Sequence, residues 1–116
     1  MSRIYDLEER TFQFALAVRK FVLKLPKSIP NYEDGKQVVR SSGSIGANYI
    51  EANEKVGDKD LKYRLRISRK EAKETIYWLR LILEGNQEID KEENKKLMDE
   101  ALELRKILSA ILNKLK

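Results

Sequence analysis

Between Lys59 and Lys73 the chain sets seven cationic side chains against two carboxylates. The remaining residues balance their charges, so the whole net charge of +5 belongs to this one segment. Lys62, Arg66, Arg69 and Lys73 recur at steps of four, three and four. On an α-helix that spacing aligns them into a ridge. Lys59 and Lys70 extend the same basic run. A row of Lys and Arg suits phosphates, because neutralising them releases condensed counterions from a nucleic acid. Lys59, Lys62, Arg66, Arg69, Lys70 and Lys73 are therefore the nucleic-acid-binding candidates. The competing reading is a solvated helix flank whose cations pair with Glu92, Glu93, Asp99, Glu100 or Glu103.

A second polar group occupies Arg40-Ser41-Ser42-Gly43-Ser44-Ile45-Gly46-Ala47-Asn48. Arg40, Ser41, Ser44, Asn48 and Glu51 fall close to one helical face. They read as a polar seam that fixes helix register, or as a binding groove. The glycines and serines do not form a P-loop, since the Gly-Lys-Ser/Thr ending and the preceding strand are missing. Glu51 with Glu54, and Glu71 with Glu74, are pairs at i, i+3, four carboxylates that paired helices could gather around two metal ions. Such bundle sites also use His at i+3 from Glu, and the chain has no His. Pairing with Arg40, Arg64 or Arg69 is the expected fate of these carboxylates. No metal or cofactor is expected. With no Cys and no His, thiolate catalysis and the commonest general base are also excluded. Tyr63, Tyr77 and Trp78 lack the arrangement of a sheet-based RNA binder and are expected to pack at the core edge.

The elements that carry these residues follow from apolar periodicity. The 116 residues suit one domain. Leu7, Phe14, Val18, Phe21 and Leu25 predict a helix over 6–25, closed by Pro26. Val38, Ser42, Ile45, Tyr49, Ala52 and Val56 predict a second over 31–56. This stripe keeps phase through the small residues, so the stretch is expected to stay helical and to admit a close neighbour; a kink at Ser-Gly is the alternative. Leu61, Leu65, Ser68, Ala72, Thr75, Leu79 and Ile82 predict a third over 59–84, capped by Asp58. Leu97, Ala101, Leu104, Leu108, Ile111 and Leu115 predict a fourth over 91–114, capped by Asp90. Short connections make this an all-α, antiparallel up-and-down four-helix bundle. Ile67, Ile76, Tyr77, Trp78, Leu81, Leu83, Leu102, Ile107 and Leu112 exceed one stripe per helix. They are either extra core or a subunit interface. No apolar run approaches a membrane span. The opening residues hold no secretory h-region, so a cytoplasmic location is expected.

Three segments carry a family likeness: Leu7-Glu8-Glu9-Arg10-Thr11 with Phe14-Ala15; Arg40 through Ala52; and Ser68 through Thr75 with Tyr77-Trp78-Leu79. On these the chain resembles the small bacterial bundle proteins encoded in intervening sequences of 23S ribosomal RNA genes, called S23 ribosomal protein-like. The resemblance implies a four-helix bundle assembled as a homopentameric ring. The family is also similar to the basic pentameric accessory proteins of diversity-generating retroelements, which implies contact with RNA or DNA by analogy. No catalytic residue is implied. The expected function is a non-enzymatic oligomeric scaffold with shape- and phosphate-directed nucleic-acid binding. The alternative is a structural adaptor that binds an unidentified protein and no nucleic acid.

Overall fold

The computed structural model describes residues 3–54 and 57–115. Four helices follow in order: α1 (Arg3–Leu23), α2 (Ile29–Asn53), α3 (Asp58–Gly85) and α4 (Lys91–Lys114). Each packs on its neighbour in sequence, most extensively α2 on α3, and the α1–α4 contact that closes the ring of four is the slightest. The bundle measures 45 × 26 × 19 Å.

Local chemistry sets the helix ends. Backbone N–H groups of Lys24 and Leu25 reach only back to Phe21 and Val22, so α1 stops at Leu23. The expected end at Leu25 fails because a residue before proline is pushed out of helical geometry. Helix α2 begins earlier than expected. The Ser28 hydroxyl accepts from the Asn31 N–H at 3.1 Å, and Pro30 lies in the first turn, where its missing N–H costs nothing. That helix runs unbroken through Arg40–Asn48 and ends at Asn53, short of the expected 56. Val56, the last member of its stripe, lies outside the described residues.

The expected Asp58 cap of α3 is corrected. Asp58 is already helical, and Gly57 is the capping residue, with φ of 146° and no side-chain bond. Side chains rarely adopt that φ, so glycine is required there. Asp58 and Asp60 still favour the helix start through its dipole. Asp90 caps α4 as expected, accepting from the Glu93 N–H at 2.9 Å.

The stripes meet in a single core. Val18, Val38, Ile45, Leu65, Leu79, Ile82, Leu104 and Leu108 are fully or almost fully buried. Thr11 fills the gap that the α1 stripe leaves between Leu7 and Phe14. Leu112, expected among the surplus apolar residues, is buried in place of Ile111. Polar bonds lock the ends as well. Asn31 and Asn86 exchange amide hydrogen bonds at 2.8 Å, and Asn31 also donates to the Pro26 carbonyl. The α1–α2 and α3–α4 connections are thereby tied together at one end of the bundle.

Candidate nucleic-acid interface

Helix α3 holds the six predicted cations because Leu65, Ala72 and Leu79 turn its apolar face inward. Lys59, Arg66, Lys70 and Lys73 are exposed; Lys62 and Arg69 are half-buried along the flank. Helix α4 completes the surface. Arg66, Arg69, Lys70 and Lys73 line a cleft of about 290 Å³ together with Arg105 and Ser109. The Arg69 guanidinium reaches the Ser109 hydroxyl at 3.5 Å. Five cationic side chains thus share one hollow, with no carboxylate in its lining.

Two of the five acidic residues expected to balance the ridge, Glu93 and Glu100, are engaged elsewhere. Glu93 pairs with Lys24, and Glu100 makes a bidentate pair with Arg10 at 2.7 and 2.8 Å. These bridges close the slight α1–α4 seam instead. Among the described residues, no ion pair involves Lys59, Lys62, Arg66, Arg69, Lys70, Lys73 or Arg105. Crowded cations without a counter-charge repel one another, and an arriving anion relieves that repulsion. Arg105 and Ser109 were not recognised from sequence. The i, i+4 spacing of Arg105 and Ser109 is visible there, but their register against α3 is not.

The expected polar seam divides. Arg40 and Ser41 face α3. Arg40 bridges Glu71 at 3.3 Å and Glu74 at 3.2 Å. The hydrogen bond to Glu71 raises the Arg40 guanidinium above its ordinary pKa; burial opposes this, and the charges of Glu71 and Glu74 reinforce it. The Ser41 and Thr75 hydroxyls share a hydrogen bond at 2.8 Å, and the Thr75 hydroxyl also lies 2.8 Å from the Glu71 carbonyl. Ser68 adds a bond to the Ile45 carbonyl at 2.7 Å. Ser44 and Asn48 serve their own helix, the Asn48 amide donating to the Ser44 carbonyl at 2.9 Å. Glu51 is exposed. The small residues between them admit α1, for a Cβ on Gly46 would lie 2.7 Å from the Thr11 hydroxyl oxygen.

The aromatic expectation is corrected in two of three cases. Trp78 packs against the core, but Tyr63 and Tyr77 are each 57% exposed. Both are on α3, beside the cations. Among the described residues, carboxylates do not gather in a group able to hold a metal. No helix there is long and apolar enough to cross a membrane.

Comparison with known proteins agrees with this architecture. A 1.70 Å crystal structure of a protein of unknown function, from the S23 ribosomal protein family of Bacteroides thetaiotaomicron, superposes with a TM-score of 0.83. The two are 28% identical over 97% of this chain and 99% of the other. No curated relative matches the chain. Residues 5–110 match the family described as 23S rRNA-intervening sequence protein. A four-helix bundle, this neighbour and that match agree, and the chain belongs to the 23S rRNA-intervening sequence protein family.

Proposed function

We propose that the protein is a non-enzymatic oligomeric scaffold that binds nucleic acid through its phosphates. The observation that carries this reading is the α3–α4 cleft, where Arg66, Arg69, Lys70, Lys73 and Arg105 converge without an ion-pair partner among the described residues. Phosphate oxygens accept from guanidinium and ammonium groups whatever the base sequence. Association as a homo-oligomer would repeat the cleft around an axis and multiply a modest field. Five subunits follow from the family resemblance; the apolar outer face of α1 and α2 supports association itself. A protein–protein adaptor is the alternative that the same experiment addresses.

The test is fluorescence anisotropy with labelled duplex DNA, duplex RNA and single-stranded RNA between about 50 and 200 mM salt. Binding is expected to weaken steeply as salt rises. Reversing Lys62, Arg66 and Lys73 to Glu is expected to weaken binding to all sequences alike, with helicity and assembly mass unchanged. A wild-type protein that binds none of these probes at low salt leaves the adaptor as the better reading.

A further inference from the structure

Tyr63, Arg66, Lys70, Lys73 and Tyr77 follow one another at steps of three, four, three and four along α3. That spacing places them on one strip of the helix. All five are exposed. Two tyrosine rings therefore bracket the three exposed cations of the cleft. We propose that this strip is a single-strand binding face: Tyr63 and Tyr77 stack on unpaired bases while Arg66, Lys70, Lys73 and Arg105 hold the phosphates between them. The proposal rests on the phosphate reading above and adds the form of nucleic acid that the site takes.

Three observations support it. Two large rings stay more than half exposed on a helix with a wide apolar face available for packing, so neither serves the core of the chain. Both rings have a neighbouring contact on α3. Tyr77 meets Trp78 edge-on, with centroids 5.2 Å apart and planes at 76°, and Trp78 is itself packed on the core. Arg64 lies 5.8 Å from the Tyr63 ring centre. A ring held in place loses less freedom when a base stacks on it. The dimensions also suit a short strand. Fourteen residues of helix separate the tyrosines by about 21 Å at 1.5 Å per residue. A stacked strand rising about 3.4 Å per nucleotide covers that distance in about six nucleotides.

A cationic groove flanked by aromatic faces is the general solution for single strands, because every base offers a π-face. A duplex hides those faces within its own stack, so the tyrosines would add nothing to its binding. The expected signature is selective loss.

The experiment measures anisotropy of labelled oligouridylate and oligothymidylate, each about 12 nucleotides or twice the span of the strip, against a duplex of equal length. Wild-type protein is expected to favour both single strands. Tyr63→Ala and Tyr77→Ala should each weaken single-strand binding about fivefold or more, with duplex binding and its salt dependence unchanged. Tyr63→Phe and Tyr77→Phe should retain single-strand affinity, since the ring and not the hydroxyl makes the stack. The rings are exposed, and circular dichroism confirms that each variant remains helical. Equal losses on duplex and single strand, no loss in the alanine variants, or a preference for duplex would overturn stacking and leave phosphate binding standing. Failure of the wild-type protein to bind any probe at low salt would overturn both.

Discussion

Gly46 and Glu71 show how single positions govern this bundle. Gly46 faces Thr11, which is itself buried and bonded to the Glu8 carbonyl at 2.9 Å. The neighbour cannot yield easily, so Gly46→Leu should cost about 1–3 kcal/mol through overpacking. Gly85→Ala is the control, because a Cβ there meets nothing within 4 Å. Urea unfolding of the two variants should separate them clearly, and equal stability would contradict the tight α1–α2 contact. Glu71 decides a second comparison. Arg10 holds Glu100 at shorter distances than Arg40 holds Glu71, yet the Glu71 side chain is only 10% exposed against 30% for Glu100. Burial should outweigh bond length. Arg40→Ala leaves a buried carboxylate short of its partner and should cost about 1–3 kcal/mol. Arg10→Ala breaks an exposed pair and should cost no more than about 1 kcal/mol. Thermal melts of the two variants at low salt provide the check; a larger loss at Arg10 would reverse the assignment.

At the scale of helices, the apolar surplus of α3 and α4 divides between the two expected readings, extra core and exposed surface open to a subunit. Ile76, Trp78 and Ile107 pack against the core, as the extra-core reading expects. Tyr77, Leu81 and Leu102 remain exposed. Phe12, Leu23, Ile29, Tyr32 and Ile50 are exposed on α1, α2 and the start of α2. Two hollows of about 430 and 410 Å³ follow the groove between α1 and α2, lined by Val22, Tyr32 and Val39 in one and Phe12, Leu16 and Ile50 in the other. Covering a large apolar side chain is worth about 1.5–3 kcal/mol, so this face would supply the drive for the proposed association. Sedimentation equilibrium should give a mass above the 13.6 kDa of one chain. Phe12→Lys combined with Ile50→Lys should return the protein to monomer with its helicity intact, since both side chains are exposed. A wild-type monomer at tens of micromolar, the double variant being indistinguishable from it, would contradict assembly through this face.

Across the whole molecule the order of the helices would keep the two proposed functions, self-association and phosphate binding, apart. Successive packing of α1 on α2, α2 on α3 and α3 on α4 puts the α1–α2 groove and the α3–α4 cleft on different sides of the bundle. A subunit joined through the first can still present the second. The same separation explains the fate of the charges. Glu93 and Glu100 lie on α4, as Arg105 does, but they point to the α1 seam and meet Lys24 and Arg10. The six ridge cations of α3, without an ion-pair partner among the described residues, are left to solvent or to a ligand. Charge reversal on α3 should therefore change phosphate binding without changing assembly, whereas Phe12→Lys with Ile50→Lys should change assembly while each cleft stays intact.

Four helices and their inward faces were legible in the sequence because helical periodicity is local: Leu65, Ala72 and Leu79 recur in phase whatever packs on them. The start of α4 was legible for the same reason, since Asp90 and the Glu93 N–H lie three residues apart. Pro26 marked the end of α1 to within two residues, and Val38 to Ala52 carried α2 through a stretch that propensity alone would have broken. The family likeness was equally readable, as it rests on contiguous residues. Tertiary structure alone decided the rest. Which carboxylate meets which cation depends on register between helices, and that register brought Arg40 to Glu71 and took Glu100 to Arg10. It also set Arg105 and Ser109 beside Arg69, across 40 residues of chain in the case of Ser109. Tyr63 and Tyr77 could not be told from core-edge rings by spacing, because the width of the apolar face that α3 buries is settled by how closely α2 and α4 approach it.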